Sequence, residues 1–220
     1  SRAKSISARP EGHDRIRADL RQKLDALEPT SGFARAIREA LPRNGIVFSD
    51  ITQFGVYARF GMPMYCPRTY LLPGYEATLG WAYPAALGAK VAHPDRKVIA
   101  FAGDGGFMFN VQELATAVQH GLAVVAIVFN NNLYGNVHGI QAKSYGGRHI
   151  AVDLKNPDFV ALARSFGMTA ARATSADQLL STLRLFLDRN EPALIEVPVG
   201  DLPDMWQFVK RPPSQGPAPG

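Results

Sequence analysis

Asp104 stands between Gly103 and Gly105, and after 24 intervening residues the chain reaches the asparagines Asn130 and Asn131. Each group follows an apolar, β-rich run: Lys97 to Ala102 before the aspartate, Ala123 to Phe129 before the asparagines. In a parallel sheet both would sit at carboxyl ends of strands, where open α/β sheets bind ligands. A carboxylate and a carboxamide brought together there are hard oxygen donors, suited to a small divalent cation. Glycines beside the carboxylate let the backbone approach an anion and offer bare N–H groups. The chemistry these residue types suggest is a Mg²⁺-bridged diphosphate.

Other readings of the glycine loop are weaker. A dinucleotide fingerprint needs a third glycine where Met108 stands. A P-loop needs Gly-Lys-Ser/Thr, which is absent. Gly-Asp-Gly alone also fits a plain turn after a buried strand. The asparagines weigh against that, because Asn130, Asn131 and Asn132 in a row after an apolar strand are costly unless satisfied or used.

The elements that must position these residues can be read from periodicity and punctuation. A helix is expected from Asp14 to Leu27, broken by Glu28-Pro29-Thr30. Ser31 is expected to cap the next helix, with Phe33, Ala34, Ile37 and Leu41 on one face. A buried strand follows at Gly45 to Asp50, then an irregular stretch, 52–79, rich in Gly, Pro and aromatics. Gly80 to Ala92 reads as a helix with Pro84 in its first turn. Asn110 and Glu113 suggest a capping box for a helix ended by Gly121. Asn156-Pro157 is expected to open another helix, closed by Gly167. Met168 to Ala173 reads as a strand, Ser175 to Arg189 as a capped helix, and Ala193 to Val197 as the last strand. Strands alternating with helices imply a doubly wound, mostly parallel α/β sheet with helices on both faces. Three regions are expected: a basic leader or linker over 1–30, a diphosphate-binding domain over 31–200, and a Pro-rich, partly disordered tail over 201–220.

Composition narrows the class further. Apolar residues make up 46% and charged residues 20%, the balance of a globular domain. No uncharged apolar run is long enough to span a bilayer, and the N-terminal residues have no signal-peptide core. The formal net charge is +5, but seven basic and three acidic residues fall in the first 23 positions, leaving 17 and 16 elsewhere. The excess therefore decorates an arm rather than a folded face, which argues against nucleic acid as a partner. With Cys66 alone there is no disulfide framework and no cysteine-held metal cluster. A cytoplasmic protein without membrane partners is the expectation.

At Gly103-Asp104-Gly105-Gly106-Phe107 and Asn130-Asn131-Asn132-Leu133-Tyr134-Gly135 the chain resembles thiamine diphosphate enzymes of the acetolactate synthase and 2-oxo acid decarboxylase group. The likeness extends to Leu79 through Lys90 and to Gln112 through Ala117, covers roughly Ser31 to Gly200, and is to the C-terminal, diphosphate-binding domain of that group. The resemblance implies Asp104 and Asn131 as side-chain ligands of Mg²⁺, with the backbone oxygen of Leu133 as a third. It implies backbone N–H groups of Gly105 and Gly106 on the diphosphate, with Gly103, Tyr134 and Gly135 around the cofactor. Asp50 to Gln53 match a second diphosphate-contacting segment more loosely, giving Thr52 and Gln53. Phe54 stands where some relatives have histidine. Leu79 matches the bulky residue that bends the cofactor, and backbone atoms of Ala77 and Leu79 would meet the aminopyrimidine. Core packing is the alternative for Leu79.

The resemblance also implies what should be missing. The activating glutamate of such enzymes comes from a separate pyrimidine-binding domain, and neither Glu76 nor Glu113 matches it. The expectation is a chain inactive alone, completed by that domain in the same longer chain or a separate subunit, within a homodimer or tetramer, acting on a small 2-oxo acid as lyase or transferase. His138 and Gln141 could reach the site or lie on the surface, and Tyr134 could line the pocket or be a packed aromatic. Trp206 and Phe208 could form a lid. Two other functions stay open: the diphosphate-binding subunit of a 2-oxo acid oxidoreductase, against which the single cysteine argues, and a non-catalytic assembly module.

Overall fold

The computed structural model describes residues 10–203 and residue 205. The chain runs α1 (Pro10–Asp25), α2 (Thr30–Ala40), β1 (Ile46–Ser49), α3 (Gln53–Gly61), β2 (Tyr70–Leu71), α4 (Ala82–Ala92), β3 (Val98–Gly103), α5 (Asp104–Phe107), α6 (Glu113–Gln119), β4 (Val124–Asn130), α7 (Gly135–Ser144), α8 (Phe159–Ser165), β5 (Thr169–Arg172), α9 (Ala176–Arg189) and β6 (Ala193–Pro198). The six strands form one parallel sheet in the order β2-β1-β3-β4-β6-β5. The direction of winding changes between β1 and β3, so a crevice must open above the carboxyl ends of those strands.

Alternation along the strands divides the core. Val47, Ile99, Phe101, Val125, Ile127 and Ile195 face α2, α3 and α9. Ile46, Phe48, Val98, Ala100, Val124 and Leu194 face α4, α6 and α8. Both faces being covered explains why the central strands read as unbroken apolar runs instead of alternating ones. Leu24 of α1, and Leu202 and Met205 beyond β6, are buried in the first of these clusters. Trp206 and Phe208 lie outside the described residues.

Several local expectations give way to other contacts. Residues 53–61, expected to be irregular, form α3, whose cap is Thr52: its side-chain oxygen accepts the Gly55 N–H at 2.8 Å. Ser31 lies inside α2 and its hydroxyl donates to the Asp25 carbonyl at 3.1 Å, while the Glu28 carboxylate takes the Gly32 N–H at 3.1 Å. Asn110 does not cap α6, because its amide donates to the Gly80 carbonyl at 2.9 Å. The cap of α8 is Asp158, which accepts the Ala161 N–H at 3.0 Å, and Asn156 is left for another use. Ser175 caps α9 as expected.

One aromatic cluster supports the crevice from below. The fully buried Phe54 ring stacks on Phe129 at 4.1 Å between centroids and meets Phe101 edge-on at 5.0 Å. It ties the first turn of α3 to β3 and β4. Phe54→Ala should therefore lower unfolding free energy by about 3–5 kcal/mol in urea titrations. A loss under about 1 kcal/mol would show that the ring does not bear on the sheet.

Candidate functional site

A cavity of about 290 Å³ lies above the tips of β1, β3 and β4. Its wall is built from five places in the chain. The turn after β1 gives Asp50, Ile51, Thr52, Gln53 and Phe54, and the loop before α4 gives Ala77 and Leu79. The end of β3 and the start of α5 give Gly103, Asp104, Gly105 and Gly106. The segment after β4 gives Asn131, Leu133, Tyr134, Gly135, Asn136 and Val137, with Val199 and Leu202 closing one side. The twelve residues that the resemblance assigns to metal and cofactor — Thr52, Gln53, Ala77, Leu79, Gly103, Asp104, Gly105, Gly106, Asn131, Leu133, Tyr134 and Gly135 — all line this one cavity.

Register brings the polar groups together. Gly103 pairs with Phe129 in the parallel ladder, so Asp104 and Asn130 emerge side by side. Asn132 then adopts a left-handed backbone (φ 58°), which turns the chain. An antiparallel bridge between Leu133 and Asp153 follows, stitched by Tyr134 N–H to the Val152 carbonyl and Leu154 N–H to the Asn132 carbonyl, both at 2.8 Å. That bridge returns a distant segment to the site, and with it Asn156.

Asp104 is 2% exposed. Burial pushes its carboxyl up from the ordinary range, against the Gly105 and Asn132 N–H groups and the Asn156 amide, which favour the charged form. The Asn156 amide lies 2.6 Å from Asp104 Oδ2. Among the described residues no Lys, Arg or His pairs with this carboxylate. Asn131 has no hydrogen-bond partner for its carboxamide among them, and none donates to the Leu133 carbonyl oxygen. A buried anion with no counter-charge, an unpartnered amide and a free carbonyl on one cavity are the donor set of a hard cation.

Asp50, the other carboxylate on the cavity, is used differently. It is 1% exposed, and its two oxygens accept the Gly80 N–H at 3.1 Å and the Ala82 N–H at 2.8 Å, with the Trp81 N–H between them. It thus caps α4 and fixes the loop that carries Ala77 and Leu79. Gly80 is required at that junction: its φ is +78°, and a Cβ there would lie 2.8 Å from Phe109 and 2.9 Å from the Asn110 amide. Gly105 is required for closeness, since a Cβ would meet the Tyr134 ring at 2.4 Å. Leu79, 37% exposed, presents an apolar side chain to the cavity rather than to the core.

Some residues of interest are elsewhere. His138 meets His149 in a tilted contact with ring centroids 3.9 Å apart, and Gln141 holds both backbone groups of Ile150; neither His138 nor Gln141 lines the cavity. Among the described residues no glutamate lines it, Glu76 and Glu113 included. Sequence reading missed the apolar wall of Phe129, Val137, Val199 and Leu202, and it missed Asn156 and Glu196. Glu196 carried a signal, being a charge inside an apolar strand, and it is 3% exposed.

Comparison with known proteins matches residues 50–197 to the family described as "Thiamine pyrophosphate enzyme, C-terminal TPP binding domain". A probable acetolactate synthase large subunit from Methanocaldococcus jannaschii is 39% identical over 156 residues, 70% of this chain and 26% of that protein. The acetolactate synthase large subunit of Corynebacterium glutamicum is 34% identical over 213 residues, 94% of this chain and 33% of that protein. A thiamine diphosphate-dependent 4-hydroxybenzoylformate decarboxylase from Rhodococcus jostii RHA1 superposes with a TM-score of 0.74 at 28% identity, covering 80% of this chain and 33% of its own. The chain thus spans about a quarter to a third of the length of these relatives.

Burial pushes the Asp50 carboxyl to about 6 from its ordinary 3.8, against three backbone N–H donors. A raised folded-state value stabilises most below pH 3.8, and that contribution is lost as pH rises through about 6. Relative to Asp50→Asn, the native protein should therefore lose up to about 3 kcal/mol of unfolding free energy between pH 4 and 7. Parallel stability curves for the two proteins would show that Asp50 does not titrate in this range.

Proposed function

Because the chain belongs to the thiamine pyrophosphate enzyme family, whose C-terminal TPP binding domain it matches over residues 50–197, we propose that the cavity holds thiamine diphosphate through Mg²⁺ and that the chain forms half of an acetolactate synthase-like active site. The observation that carries this is the buried Asp104 carboxylate, which has no basic partner among the described residues and shares its cavity with the Asn131 carboxamide and the Leu133 carbonyl, neither of which has a hydrogen-bond partner among them. Asp104, Asn131 and the Leu133 oxygen would hold the metal. The backbone at Gly103, Gly105 and Gly106 would hold the diphosphate, with Thr52, Gln53, Tyr134 and Gly135 around it.

The cofactor, when bound, supplies a nucleophilic carbon for a 2-oxo acid carbonyl and an electron sink for decarboxylation. This chain's residues set the conditions. The Asp104 charge offsets the cation in a site walled by Phe54, Phe129, Val199 and Leu202, where low polarity strengthens each charge interaction. Leu79 offers the apolar shelf that fixes cofactor shape, a positioning effect. With Ala77 it would meet the aminopyrimidine end. No glutamate on the described cavity wall is available to activate that end. We infer that a pyrimidine-binding domain, in the same polypeptide or a separate subunit of a homo-oligomer, supplies it, and that the substrate is a small 2-oxo acid. Among the described residues no helix is long and apolar enough to cross a membrane.

Calorimetric titration of the intact protein with thiamine diphosphate should give saturable heat with Mg²⁺ and none after chelation. Asp104→Ala should weaken the metal-dependent binding by more than about 100-fold, because loss of outer-shell partners alone typically costs 10–100-fold. Tight binding that ignores Mg²⁺ would overturn the reading.

A further inference from the structure

Asp104 is not held in place by its own strand alone. The Asn156 amide nitrogen lies 2.6 Å from Asp104 Oδ2, 3.0 Å from Asn130 Oδ1 and 3.1 Å from Asn132 Oδ1. One amide has two N–H groups, so the shortest contacts, to the carboxylate and to Asn130, take both. Asn156 joins the tip of β3, the tip of β4 and the turn beyond it, and it is 52 residues from Asp104 in sequence.

The direction of that amide is set from outside the cavity. Arg172 on β5 donates Nε and Nη2 to Glu196 Oε2, both at 2.8 Å, and Nη2 also reaches Asp158 Oδ1 at 3.2 Å. Glu196, buried in β6, accepts the Asn130 amide on its other oxygen at 2.8 Å. Asn130 must then turn its own oxygen toward the Asn132 N–H at 3.2 Å and toward Asn156. With an acceptor oxygen fixed there and a carboxylate beyond, only the nitrogen of Asn156 can face them. Arg172 and Asn130 thus both donate to Glu196, and Asn156 donates to Asn130 and to Asp104.

We propose that Asn156 is a positioning residue for the metal site: it orients the Asp104 carboxylate before any cation arrives. The inference rests on the Mg²⁺ reading given above. A carboxylate that must be aimed at a cation needs a donor to hold it, and the Asn156 amide, 2.6 Å from Asp104 Oδ2, is one. Hydrogen bonds to charged acceptors are also the short, strong ones, and an amide donates without cancelling the charge that the cation needs.

The experiment measures thiamine diphosphate binding to the intact protein by intrinsic fluorescence across a Mg²⁺ series. It compares native protein, Asn156→Ala and Asn156→Asp, with near-ultraviolet circular dichroism of the metal-free proteins as the check on folding. The half-saturating Mg²⁺ concentration should rise about 10–100-fold in Asn156→Ala, while cofactor affinity at saturating Mg²⁺ stays near the native value. Asn156→Asp keeps the shape but replaces the donor with an oxygen, and it should lose at least as much. If Asn156→Ala does not fold, the isosteric Asn156→Asp carries the comparison. Native-like metal requirement in either folded variant overturns the positioning role. If the native protein itself binds no cofactor in a Mg²⁺-dependent way, the metal reading falls, and the inference with it.

Discussion

A carboxylate buried with no basic side chain beside it among the described residues is the constraint from which the rest of this site follows. Taking a charge out of water costs several kcal/mol unless donors or an opposite charge replace the lost hydration. Asp104 receives donors: the Gly105 and Asn132 N–H groups and the Asn156 amide. It receives no positive side chain among the described residues. The donors suffice to keep the fold, and a divalent ion at the proposed metal site would supply the opposite charge that they do not. An arginine in place of those donors would neutralise the carboxylate and remove the reason for a metal to bind.

The fold meets this constraint through geometry that a parallel sheet supplies at no extra cost. Adjacent strands end together, so residues just past β1, β3 and β4 share one crevice. The aromatic set Phe54, Phe101 and Phe129 fixes the height of those tips from beneath. The bridge between Leu133 and Asp153 then folds the segment beyond β4 back over the crevice. Secondary structure brings the ligand candidates close, while the bridge and the Arg172–Glu196–Asn130–Asn156 series determine how they point.

Much of this was legible in the sequence because it depends on local pattern. The apolar runs before Asp104 and Asn130 announced buried parallel strands, and the glycines around Asp104 announced close backbone approach. What stayed hidden depends on contacts between distant residues. Residues 53–61 carry Gly55 and Gly61 and several aromatics, which obscure helical periodicity, yet Thr52 caps a helix there. Residues 135–144 form a helix that buries nothing, so no apolar stripe marks it. Asn156 beside Pro157 looks like helix punctuation, and only the return of the chain beside Asn132 gives it another use. Asn110 was misjudged for the same reason, since Gly80, 30 residues away, takes its amide.

Asp50 and Asp104 show why residue type and position do not suffice to choose a metal ligand. Both follow a parallel strand, both are buried, and both line the cavity. In both, burial pushes the carboxyl above the ordinary range. The difference is in what their donors accomplish. Both oxygens of Asp50 are committed to consecutive N–H groups at the start of α4, groups that a helix leaves unpaired and that must be satisfied somewhere. Moving Asp50 onto a cation would orphan them and release the loop bearing Leu79. The donors to Asp104 are instead the Gly105 and Asn132 N–H groups and the Asn156 amide, and its cavity also carries the Asn131 carboxamide and the Leu133 carbonyl, which have no hydrogen-bond partner among the described residues. That contrast is the physical reason to propose the metal at Asp104 and the scaffold role at Asp50.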